Sequence, residues 1–366
     1  MRVYKMEPLI LTPTFEAVDI IDTFTSLIWT DRYNAYGDFE ICVPADSSIL
    51  TSIDLDDYLW IKESEHTMIV ENIDIDTDVE EGSTIKITGR SLESILERRV
   101  VWGHKALNGN FQNGIKTLLE EAIINPSIAQ RKISNFIFQE STDTAITSLT
   151  IDTQFAGDNL YDVIKTLCDE KKIGFKIVLN ESNQFVFSLY SGVDRSYNQE
   201  INPYVVFSPN FENLINSNYH ASKEKLKTIA LVGGEGDGSE RVYTSVEADP
   251  DSATIPSGLG RRELFVDAKG TSKKTSDATL TDAEYDEVLK AKGSEKLEEY
   301  VDERAFEGSV DVTRTNVYGK DFNMGDIVQI ANEFGFESTS RVTEFIHSQS
   351  LEGLEFYPTF EAIKDE

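Results

Sequence analysis

Cysteine is nearly absent from this chain. The two that occur among 366 residues, Cys42 in a strand-like run and Cys168 on the apolar face of a helical stretch, are too few and too differently placed for a disulfide framework or a zinc site. Both are expected to be buried structural thiols. Long apolar runs are missing as well. No stretch approaches the roughly 20 apolar residues that span a bilayer, so no membrane-spanning segment is expected. The opening MRVYKMEPLILTPTF lacks an apolar core followed by a small-residue cleavage site, which points to folding in a cytoplasm. Basic residues are scarce: 34 Lys and Arg stand against 65 Asp and Glu, for a net charge of −31. Such a surface repels phosphate and argues against a general nucleic-acid-binding face, although not against DNA passing nearby. The four histidines, His66, His104, His220 and His347, show no metal-binding or nucleophile-activating spacing.

What the chain does contain is mostly strand. Its length predicts two to four domains, and a hydrophobic fraction of 40% supports folded cores. Runs at 26–30, 39–43, 58–62, 68–75 and 84–88 are β-branched or aromatic, several with period two, and suit a small barrel or sandwich over residues 1–104. Ser91 is placed to cap a short helix with Glu93 in its first turn. After the turn signal Asn108, Gly109 comes a helix with Ile115, Leu118, Leu119, Ala122 and Ile123 on one face; a second carries Leu160, Val163, Ile164, Leu167 and Cys168, with Gly174 as its stop. Strands at 175–179 and 185–189 then pair as a hairpin, making 105–202 an inserted α+β domain. Strand character returns at 204–207, 228–232, 310–317, 326–330, 341–346 and 354–360, giving a second β-domain over 203–269 and 306–366. A helical excursion at 270–305 interrupts it, with Thr281 and Glu284 at capping-box spacing before Tyr285, Val288, Leu289, Leu297, Tyr300 and Val301. The fold class expected is α+β, mainly β.

No constellation carries chemistry by spacing. Asp74, Asp76 and Asp78 resemble the opening of a calcium loop, but Val79 stands where that loop needs Gly and Ile85 where it needs Glu, so the triplet is read as the wet face of a strand. The glycines between Gly233 and Gly238 follow a strand but lack the Lys and Ser or Thr of a phosphate loop, and read as a flexible hairpin tip. Carboxylate pairs for glycoside hydrolysis cannot be picked out by spacing in so acidic a chain. Arg98 with Arg99, and Arg261 with Arg262, are the only paired arginines; they are either solvated charges or grips for carboxylates at a subunit contact. No catalytic, cofactor-binding or metal-binding residue is assigned.

The order of short landmarks is more informative. LIWTDRYNAYGDFEICVP (Leu27–Pro44), ITGRSLESILERRVV (Ile87–Val101), VVFSPNFENLINSNY (Val205–Tyr219), ALVGGEGDGSER (Ala230–Arg241), GLGRRELFVDA (Gly258–Ala268), MGDIVQI (Met324–Ile330) and FYPTFE (Phe356–Glu361) together resemble the siphophage tail hub proteins, the family that includes the N-terminal domain of tail-associated lysins. The resemblance implies a baseplate-hub fold, with two tube-like β-barrel domains per subunit so that a homotrimer presents six barrels to a sixfold tail tube. It further implies a place at the virion tail tip after assembly in the host cytoplasm. Implied partners are the distal tail protein ring, the tape measure protein and receptor-binding or fibre proteins, with DNA only in transit. Many relatives continue into enzymatic domains, and a chain stopping at Glu366 is expected to have no activity of its own. An acidic lumen would keep DNA from sticking to the wall. The competing functions are a binding module for cell-wall saccharide, using 14 Tyr and 3 Trp of which Trp29 and Trp60 read as core, and a wall-degrading enzyme with an unrecognised carboxylate pair.

Overall fold

Period-two patterning in the first hundred residues builds seven strands in succession. The computed structural model describes residues 5–363 apart from 46, 79–81, 216, 217, 250, 251, 253, 275–278, 308, 309 and 311–314. The strands are β1 (Leu9–Leu11), β2 (Ala17–Ile20), β3 (Ser26–Arg32), β4 (Asp38–Pro44), β5 (Tyr58–Trp60), β6 (Met68–Asp78) and β7 (Gly82–Ser91). In β4, Phe39, Ile41 and Val43 are buried while Glu40 and Cys42 are partly exposed, as alternate sides of a pleated strand must be. The buried set joins Trp29, Ile85 and Ile87 in one core. Cys42 is therefore not the buried thiol expected: it sits on the other face of the same alternation.

The inserted segment carries β8 (His104–Asn110), β9 (Phe136–Gln139), β10 (Thr150–Ala156), β11 (Gly174–Leu179) and β12 (Phe185–Tyr190), with helices at Phe111–Leu119 and Leu160–Lys171. Asn108 and Gly109 lie inside β8 rather than in a turn, and the helix starts one residue later because the Asn110 side chain accepts from Asn113 N–H. Asn159 caps the second helix in the same way. Both apolar faces, with Phe175 and Phe187 of the β11–β12 hairpin, share one core. The stop is not Gly174. Lys172 turns left-handed at φ 56° and ends the helix; Gly174 instead opens β11, where a Cβ would stand 2.5 Å from the Tyr33 ring.

The chain then forms β13 (Val206–Phe207), β14 (Asn218–Ser222), β15 (Ile229–Gly233), β16 (Tyr243–Glu247), β17 (Glu263–Asp267), a helix at Asp282–Glu298, β18 (Glu303–Glu307), β19 (Ile327–Ala331), β20 (Glu337–Ser350) and β21 (Gly353–Ala362). Strands from both ends of the chain share one 11-stranded sheet in the order β13-β19-β20-β3-β4-β7-β6-β5-β1-β2, with β21 on the long β20. Two compact units result: Met1–Ser217 with Phe306–Glu366, and Asn218–Ala305.

This division differs from the boundaries read in the sequence. Residues 228–267 do not join β19–β21; β15 pairs with β16 and β17 in a sheet of their own. The helix lays Tyr285, Leu289 and Leu297 on Ala230 and Val232 of that sheet. Its capping box is made on both sides, by Thr281 N–H to Glu284 Oε2 at 2.7 Å and Glu284 N–H to Thr281 Oγ1 at 3.3 Å. Its buried residues Tyr285, Leu289, Gly293 and Leu297 recur every four positions as one narrow stripe that needs an apolar partner, and β15 is the strand that provides it. Of the strand expected at 310–317, residues 311–314 lie outside the described residues, as do Gly308 and Val79.

Candidate functional site

The signature in Leu27–Pro44 forms a knot that holds the larger unit together. Arg32 bridges two neighbours of β3, with Nε 2.6 Å from Glu344 of β20 and Nη1 2.5 Å from Asp38 of β4. Gly37 is compelled, since a Cβ there would stand 2.0 Å from the Thr30 carbonyl oxygen. Tyr33 slots its ring against Gly174 and Gly325, donates its hydroxyl to the Lys172 carbonyl at 3.1 Å, and lies under the Arg341 guanidinium at 5.2 Å. Asp326 beside Gly325 accepts from Val193 N–H at 2.7 Å and Arg195 Nε at 2.8 Å. Landmarks from opposite ends of the chain, 27–44 and 324–330, thus meet at one tyrosine together with the inserted segment. Every donor and acceptor named here is spent on the fold.

A second buried cluster lies nearby. Asp31 accepts from Ser64 Oγ at 2.8 Å and lies 3.4 Å from His347 Nε2. His66 Nδ1 is 3.2 Å from Glu93, off the hydrogen-bonding axis, so that contact is electrostatic. Burial alone would lower the His66 pKa, but the Glu93 and Asp31 carboxylates outweigh it and push the imidazole up to about 9. Burial opposes ionisation of Asp31 too, and the His66 charge with the His347 and Ser64 hydrogen bonds holds its carboxyl below the usual range. Glu93 lies in the first turn of the short Leu92–Arg98 helix, as its position suggested, and it accepts from Ile177 N–H at 2.7 Å and from the Ser91 hydroxyl, tying that helix to β11. Spacing along the sequence could not show that two of the four histidines converge. Both imidazoles face carboxylates, and the hydroxyls of Ser64 and Ser91 donate to Asp31 and Glu93, so neither is hydrogen-bonded to an imidazole as an activated nucleophile is. Among the described residues no group of three His, Cys, Asp or Glu is placed to hold a metal ion.

The paired arginines fall in different units. In the smaller one, Arg261 binds Glu263 at 2.6 Å and Arg262 donates to the Lys223 carbonyl. In the larger one, Arg98 meets Asp56 at 3.0 Å, whereas among the described residues Arg99 donates only to the carbonyls of Arg98 and Arg131. Arg131 and Trp102, which sequence reasoning missed, complete this spot: the Arg131 guanidinium lies 5.0 Å from the centroid of the Trp102 ring, and that ring is 67% exposed. Trp29 is core as expected, but Trp60 is 39% exposed because β5 turns it outward. The glycine run is a hairpin tip between β15 and β16, where Arg241 lies on Gly233 and donates to the carbonyls of Gly233 and Gly234.

A family model described as Siphovirus ReqiPepy6 Gp37-like protein matches residues 7–360. No curated protein matches the chain. Among solved structures, the 43 kDa tail protein of prophage MuSo2 from Shewanella oneidensis is similar at 12% identity and a TM-score of 0.59, with 97% of this chain and 98% of that one covered. A tail protein from Neisseria meningitidis MC58 is similar at 11% identity and 0.57, over 98% and 97%. The prophage tail protein gp18 from Listeria monocytogenes EGD-e is similar at 12% and 0.50, over 96% and 94%. At these identities the likeness is one of fold.

Proposed function

The chain belongs to the siphovirus ReqiPepy6 Gp37-like family of tail proteins, and from that premise we propose that it is the structural hub at the tail tip, a homotrimeric ring that closes the tail tube and lines the DNA exit. The observation that carries this reading is that family and fold likeness both run through nearly the whole chain, over 7–360 and over 97% of its length. The sheet supports it. Strands β1 and β3–β7 gather round the Trp29 core, while β13 and β19–β21 bring Phe207, Val328, Ile330 and Phe360 to the other end of the same sheet. We read those two ends as the two tube-like barrels, so that three subunits would offer six positions to a sixfold distal tail ring. The charge of −31 suits a channel wall that DNA slides past without binding. The tape measure protein enters the ring from above, and receptor-binding or fibre proteins dock outside it.

No hydrolase activity belongs to this role. Incubation with purified Gram-positive cell walls is the test: no retention on the wall and no released sugar or peptide is expected. Wall clearing that disappears when a single Asp or Glu is replaced would instead make the chain a wall-degrading enzyme.

A further inference from the structure

The larger unit carries both halves of an ionic contact that it does not make with itself. One half is the spot at Arg99, Arg131 and Trp102, beside a groove of about 360 Å³. Among the described residues the guanidinium of Arg99 donates only to carbonyls, as does that of Arg131, to Val100 at 2.8 Å. Glu97, on the groove wall, is taken by Arg90 at 2.6 Å. Burial, then the neighbouring Arg131 and Arg98 charges, pull Arg99 below the usual guanidinium range. Guanidiniums crowded without a counterion, in a chain with almost twice as many acids as bases, are stabilised by carboxylates brought from outside.

The other half is the β6–β7 ribbon. β5 reaches only Met68 and Ile69 of β6, so beyond them β6 has β7 on one side and no described strand on the other. Asp74, Ile75, Asp76 and Thr77 are all exposed. Asp74 and Asp76 share one face of the strand at i and i+2, about 7 Å apart, and neither has an ion pair among the described residues. Lys86, opposite Asp74, is held by Glu40 at 2.6 Å.

We infer that the β6–β7 ribbon of a second copy of this chain docks in the groove, with Asp74 and Asp76 accepting from Arg99 and Arg131 and Trp102 shielding the contact from water. This rests on the ring reading and names its subunit contact. Groove and ribbon are different surfaces, so each copy uses its ribbon on one neighbour and its groove on the other, the head-to-tail pattern that closes into a ring.

The test is a charge exchange followed by light scattering, with thermal melting as the check on folding. The double variants R99E/R131E and D74K/D76K should each weaken trimer formation at least tenfold; R99E/R131E also gives up the hydrogen bonds to the Arg98, Arg131 and Val100 carbonyls and should melt lower while still unfolding cooperatively, whereas D74K/D76K should melt like the wild type. The quadruple variant, in which the charges face each other again, should restore the trimer. Trimers indifferent to both double variants, or a folded quadruple variant that stays apart, would overturn this contact and leave the hub reading standing. A wild-type chain that is monomeric alone and with its distal tail ring would overturn both. Retention of teichoic acid that R99E/R131E abolishes without altering trimer mass would assign the groove to a phosphate polymer and remove the ribbon from it.

Discussion

At the scale of single residues, buried charge and close backbone approach make the sharpest demands. His66 is protonated in the folded protein well above its ordinary pKa, up to about 9, so it contributes stability that is complete below about pH 6.5 and lost as pH rises through 9. The loss is on the order of 3 kcal/mol. Denaturant midpoints should fall between pH 6.5 and 9.5, and H66Q should flatten that slope; a wild-type midpoint constant over the range would refute the buried ion pair. Asp31 acts in the opposite direction, its contribution present in neutral solution and lost in acid as pH falls through its lowered pKa. Gly37 allows no side chain at all. Its Cβ position, 2.0 Å from a carbonyl of β3, means that G37A must push the two strands apart, at a cost of about 3 kcal/mol or more. A G37A midpoint equal to wild type would show that the β3–β4 turn can shift freely.

At the scale of elements, local signals were legible and long-range pairing was not. Period two in 39–43 and 84–88, and the 3.6-residue stripe from Leu160 to Cys168, are written in consecutive residues and appear as β4, β7 and a helix. The capping box at Thr281 and Glu284 is equally local. What consecutive residues cannot express is which strand lies beside which: β20 pairs with β3 across more than 300 positions, and β15 chooses β16 and β17 over β19. For that reason the helix at Asp282–Glu298 looked like a lone excursion, when its partner strand precedes it by some 50 residues. Arg131 and Trp102 escaped notice for the same reason, since their contact joins loops about 30 positions apart. An excision follows from the observed pairing. Leu214 and Val310 are bridged, so replacing 218–305 with a short Gly/Ser linker should leave the larger unit folded, whereas removing 282–298 alone should uncover Ala230 and Val232 and promote aggregation. Circular dichroism and dye binding on the two deletions check this; a linker variant that unfolds would show that the units depend on each other.

At the scale of the whole molecule, assembly is a contest between two electrostatic terms. Three copies at −31 each carry −93, and that repulsion acts over long distances, where salt screens it beyond a Debye length of about 10 Å at 0.1 M. Arginine–carboxylate contacts act at close range in a partly desolvated groove and are screened less. Moderate salt should therefore strengthen the ring rather than dissolve it. The fold likeness to tail proteins and the single sheet shared by both ends of the chain agree with the proposed hub, and subunit number is the property that distinguishes it. Light scattering of the full chain across a salt series measures that number directly. A mass near three times 41.2 kDa, favoured as salt rises toward 0.1 M, is the expected result; a stable dimer at every salt would contradict the hub.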